Sequence, residues 1–67
     1  MSQLERLQKI NQMIHERTSV SVNSFLQELE ISLATFKRDL EKLRSHFNAP
    51  IIYDHESGGY IFDKPNA

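Results

Sequence analysis

The stretch VSVNSFLQELEISLATFKRDLEKL, residues 20–43, decides how this chain is read. Ser21 suits the N-cap of a short helix, because its hydroxyl can accept from an amide that the helix leaves unpaired. In that helix Val22, Phe25, Leu26 and Leu29 share one face. It runs only to about Glu30. Ser32 then offers a second N-cap, with Thr35 three residues on. A third helical segment follows to about Phe47. Its apolar residues Phe36, Leu40, Leu43 and Phe47 stand at spacings of 4, 3 and 4. At the helical period they fall within an arc of about 60°, a sharp core stripe. Ile31 lies in the tight turn between the two helices and can plug it into the core.

Upstream, residues 3–17 read as a first helix, with Ser2 as its N-cap. Leu4, Leu7, Ile10 and Ile14 fall within about 120° of one another, and Asn11 sits at the rim of that face. Thr18 to Ser21 is polar and reads as a turn. Downstream, Asn48, Ala49 and Pro50 end the third helix, since Pro disfavours a helical residue before it. Ile51–Tyr53 and Tyr60–Phe62 are β-prone runs around the turn formers Asp54 to Gly59, which predicts a β-hairpin. Such a hairpin is marginal alone, so its Ile, Tyr and Phe face must pack on the helices. The order is helix, helix, tight turn, helix, hairpin. This is a mainly α fold with a small two-stranded wing, the winged helix-turn-helix plan. The domain is expected over residues 1–62, with 63–67 the start of a linker or tail.

The 67 residues leave room for one small domain. With 39% hydrophobic and 25% charged residues, the composition argues against disorder. There is no Cys, which excludes disulfides and thiolate metal sites. No apolar run approaches the length of a membrane span or a signal-peptide core. A cytoplasmic protein is expected.

The net charge of −1 argues, by itself, against nucleic-acid binding. Its distribution says more. Lys37, Arg38, Lys42 and Arg44 stand against Asp39 and Glu41 in residues 32–47, while Glu28 and Glu30 precede them. Residues 48–67 hold Lys64 against Asp54, Glu56 and Asp63. Positive charge is therefore concentrated in the third helix. A solvated, salt-bridged helix face is the bland reading of that pattern.

The functional reading places the third helix in a DNA major groove. The helical wheel turns Ala34, Thr35, Lys37 and Arg38 outward at its N-terminal end, with Leu33 at the edge of the core stripe. Arg38 can donate bidentately to guanine, and Ala34 and Thr35 can meet a thymine methyl. Lys37, Lys42 and Arg44 suit phosphates. Ser32 caps the helix, and its hydroxyl with the free amides there can also receive a phosphate. Asp39 cannot favour phosphate and is expected to pair with a basic group of the bundle.

The segment Thr35-Phe36-Lys37-Arg38-Asp39-Leu40, with Ala49-Pro50-Ile51 and Gly58-Gly59-Tyr60, resembles the N-terminal domain of WYL-domain transcription regulators, a DeoR-like winged-helix group. The resemblance covers about Leu4 to Phe62. It implies a bacterial regulator whose winged helix binds double-stranded operator DNA, usually as a dimer, ahead of a ligand-sensing WYL domain. That second domain is absent here. The chain is thus expected to be an excised DNA-binding module, a monomer or weak dimer of modest DNA affinity, cut near the linker at Asp63 to Ala67. Two departures stand out. Relatives often carry Arg or Lys at the wing tip, where this chain has His55, Glu56 and Ser57. Glu30 occupies a turn position where many helix-turn-helix motifs use Gly.

Catalysis is not expected, and no cofactor is. His15, His46 and His55 fall on different elements, and no metal-ligand spacing, phosphate loop or nucleophile elbow is present. The competing reading is a winged helix used for protein contact, without DNA binding. The acidic wing favours it, and Leu33 and Met13 would seed the contact patch.

Overall fold

The computed structural model describes residues 2–63. Helix α1 spans Gln3–Arg17, α2 Val22–Leu29 and α3 Leu33–His46, followed by strands β1 (Ile51–Asp54) and β2 (Gly59–Phe62). The strands pair antiparallel, with Ile51 opposite Phe62 and Asp54 opposite Gly59. This is the expected winged helix-turn-helix plan. The expected tail at 63–67 lies, beyond Asp63, outside the described residues.

All three helices start on a serine. The hydroxyls of Ser2, Ser21 and Ser32 each accept the amide three residues on, at 3.2 Å. Each cap satisfies one donor that the first helical turn leaves without a partner. Helix α2 ends at Glu30, whose backbone is left-handed at φ 53° and ψ 50°. The Ile31 amide then bonds the Leu26 carbonyl at 3.2 Å, a Schellman closure. That bond makes the turn tight and seats Ile31 against the core. Helix α3 ends similarly. Asn48 takes φ 52°, and the Ala49 amide reaches back to Leu43 O at 3.0 Å.

The core joins Leu7, Ile10, Met13 and Ile14 of α1 to Phe25 and Leu29 of α2. Phe36, Leu40 and Leu43 of α3 complete it, with Val20 and Ile51. Phe25 and Phe36 stack with centroids 4.8 Å apart, and Tyr60 meets the Phe36 ring edge-on at 5.5 Å.

Three contacts clamp the wing. Val20, expected in a turn, forms a β-bridge to Tyr60, with N–H···O distances of 3.1 and 2.8 Å. The Tyr60 ring enters the aromatic cluster. Arg44 Nε donates to Ile51 O at 2.9 Å, with its guanidinium 5.9 Å from the Tyr60 ring centre.

Three apolar assignments are corrected. Leu4 and Phe47, expected in the core, are each 57% exposed, and Met13, expected at the surface, is 7% exposed. The buried arc of α1 is rotated away from Leu4 toward Met13, which joins Leu29 of α2 in the core. Phe47 lies past the last turn of α3, in a non-helical conformation at φ −109°.

Candidate nucleic-acid interface

Helix α3 has one buried side, formed by Phe36, Asp39, Leu40 and Leu43. The opposite side is fixed by the helical period. Ala34, Lys37 and Arg38 are exposed there, Leu33 is exposed at the edge of the buried side, and Thr35 is half-buried. Ser32 uses its hydroxyl twice: it accepts the Thr35 amide and donates to Thr35 Oγ1 at 3.1 Å. The tight α2–α3 turn and this cap set where α3 begins. They leave its first two turns facing solvent.

Among the described residues, Lys37, Arg38 and Lys42 make no ion pair or side-chain hydrogen bond. Their charges are therefore available to an outside anion. Arg44 is committed at Nε to the wing strand and stacks on Tyr60. It thus joins the wing to α3, which the sequence pattern had not indicated. Lys42 is half-buried, farther along the helix.

Two negative groups of the region are paired away from this face, while Glu30 and Glu41 stay exposed beside it. Asp39 is buried, with Arg6 Nε 2.7 Å from Oδ2. The expected basic partner is thus Arg6, reached from α1 together with Gln3 Nε2 at 3.3 Å. The usable signal was a carboxylate at the edge of the apolar stripe, since a buried charge needs a partner. Glu28 of α2 pairs with Arg17 of α1. That hydrogen bond holds the Glu28 carboxyl below its usual range and pushes Arg17 up.

The wing tip is acidic. The Asp54 carboxylate accepts the Ser57 amide at 3.2 Å, and the bonding to Ser57 lowers its pKa. Asp54 therefore keeps its charge into acid, beside Glu56 and His55. Among the described residues, no group of three or more His, Asp or Glu side chains is placed to hold a metal ion. Among the described residues no helix is long and apolar enough to cross a membrane.

A second surface feature lies along α1. An open groove of about 1070 Å³ runs between α1, the end of α3 and the wing. Leu4, Leu7, Ile14, Phe47 and Phe62 supply its apolar walls. The patch expected from Leu33 and Met13 does not form, because Met13 is buried while Leu33 is 46% exposed.

The family model of the DeoR-like helix-turn-helix domain matches residues 6–65 of the chain. No curated protein and no solved structure gives a significant match.

Proposed function

The chain belongs to the DeoR-like helix-turn-helix domain family, a DNA-binding domain type, and we propose that it binds double-stranded DNA sequence-specifically with α3 in the major groove. The observation that carries this is the exposed start of α3, where the Lys37 and Arg38 side chains make no ion pair or hydrogen bond among the described residues. Arg38 is assigned the base contact, with Ala34, Thr35 and Leu33 against base edges and methyl groups. Ser32, Lys37, Lys42 and the terminal amino groups of Arg44 are assigned to phosphates. The module acts without catalysis, by occupancy of its site. The likeness of residues 48–60 to WYL-domain regulators supports a parent that is a cytoplasmic bacterial transcription regulator. Such a parent would bind as a homodimer, with this domain alone monomeric or weakly dimeric.

Fluorescence anisotropy against a duplex selected from a random pool tests the assignment. Arg38→Ala is expected to cost about 1–3 kcal/mol and to relax the preference at one base pair. Lys37→Ala is expected to weaken all duplexes alike and to lower the salt slope by about 1. Equal affinity of Arg38→Ala and parent for the selected duplex would remove α3 from the groove.

A second reading, protein contact, is favoured by the α1 groove with its exposed Leu4 and Phe47. In that case Leu4→Ser would abolish partner binding while Arg38→Ala would leave it intact.

A further inference from the structure

The side of α3 that meets α1 is apolar except at Asp39, which is 1% exposed. Its Oδ2 accepts from Arg6 Nε at 2.7 Å. Its Oδ1 accepts from Arg6 Nη2 at 3.4 Å and from Gln3 Nε2 at 3.3 Å. Gln3 and Arg6 lie three residues apart on α1, so they share a face. A buried ion pair is a poor source of stability, since packed apolar side chains of similar volume often do as well or better. What it adds is direction. A guanidinium fork meets a carboxylate in few geometries, whereas hydrophobic attraction itself is non-directional.

Position on the helix gives that direction a consequence. Asp39 and Arg38 are neighbours, about 100° apart around the axis. Holding Asp39 against α1 therefore decides where Arg38 points. Rotating α3 by about 20° would carry a side-chain tip, ~6 Å from the axis, through about 2 Å. A bidentate hydrogen bond does not survive that displacement. Pairing with Arg6 also neutralises the one carboxylate buried in α3.

We propose, resting on the DNA-binding reading above, that Asp39 is a positioning residue of the interface. Held by Arg6 and Gln3, it sets the rotation of α3 against α1 and so aims Arg38, Ala34 and Thr35 at the base edges.

The test replaces the pair by apolar side chains, Arg6→Met with Asp39→Leu, and separately weakens the fork with Arg6→Lys. Residual dipolar couplings of the free domain give the α1–α3 orientation without DNA. Anisotropy gives the affinity ratio between a duplex selected by the parent and a scrambled duplex. The double variant is expected to unfold near the parent's temperature, with α3 rotated or averaged. Its affinity ratio falls about tenfold, the loss of one good base contact. Arg6→Lys falls between. If the double variant fails to fold, Gln3→Ala and Arg6→Lys carry the same comparison. A folded double variant with unchanged helix orientation, or an unchanged affinity ratio, overturns the proposal. A parent that binds no duplex overturns the DNA-binding reading instead, and the dipolar couplings then decide the Asp39 lock alone.

Discussion

A Cβ built on Gly59 would stand 2.6 Å from Ser19 Oγ and 2.8 Å from both the carbonyl carbon and oxygen of Val20. Two of these contacts are backbone, so nothing can yield without breaking the Val20–Tyr60 bridge. Gly58 differs: its φ of +71° is left-handed, but the space around it is open. Gly59→Ala is therefore expected to destabilise the domain by about 1–3 kcal/mol through overpacking. Gly58→Ala should cost about 1 kcal/mol through backbone strain alone. Urea unfolding midpoints separate the two, and a Gly59→Ala protein as stable as the parent would contradict the clamp. The pair reads from sequence simply as a hairpin turn, which explains Gly58 and not Gly59. The missing half was Val20, whose role is illegible because one β-branched residue between two serines makes no strand pattern. The serine caps were legible because capping depends only on neighbours within one helical turn.

Between elements, the α2–α3 turn and the α1–α2 ion pair govern how the recognition helix is presented. Glu30 holds φ 53°, a conformation that costs a residue with a Cβ roughly 1 kcal/mol or more. Glu30→Gly should recover about 0.5–1 kcal/mol, seen as a higher melting temperature, with the Schellman bond kept. A lower melting temperature would show that the turn carries no such strain. Arg17 and Glu28 tie α1 to α2 on the surface. The Glu28 carboxyl is lowered from its ordinary value of 4.5, chiefly by the hydrogen bond from Arg17. A depressed carboxylate contributes stability above its unfolded pKa and loses it as pH falls through the folded pKa. Glu28→Gln should therefore melt below the parent at neutral pH, and the gap should close in acid and shrink with salt. A gap independent of pH would show that the ion pair is not its cause. Helix order was legible from hydrophobic period, and helix bounds from the serine caps and Pro50. The exact buried arc was not: period gives the apolar face, but the neighbours decide which edge is covered. Thus Leu4 faces solvent and Met13 is buried, because α2 packs on the Met13 side.

Over the whole molecule the charge is nearly balanced but unevenly placed. A net charge of −1 conceals a basic α3 beside an acidic wing. The buried Asp39–Arg6 pair and the Glu28–Arg17 pair take four of the charged side chains out of that contest. What remains near the start of α3 is Lys37 and Arg38, with Glu30 and Glu41 exposed beside them, and at the wing tip Asp54 and Glu56. The α3 patch was legible because a sharp core stripe fixes its opposite face. The Arg44 tie to Ile51 was not, since it depends on where the wing packs. The central claim is that α3 docks in a DNA groove, and the direct measurement is a backbone amide NMR titration. A mixed-sequence duplex would be added at about 50 mM salt and again at about 200 mM. The account predicts shifts clustered on residues 32–44 that collapse at the higher salt, because each phosphate contact releases a counterion and salt reverses that gain. Absent shifts at low salt, or shifts confined to Leu4, Phe47 and the rest of the α1 groove, would contradict it.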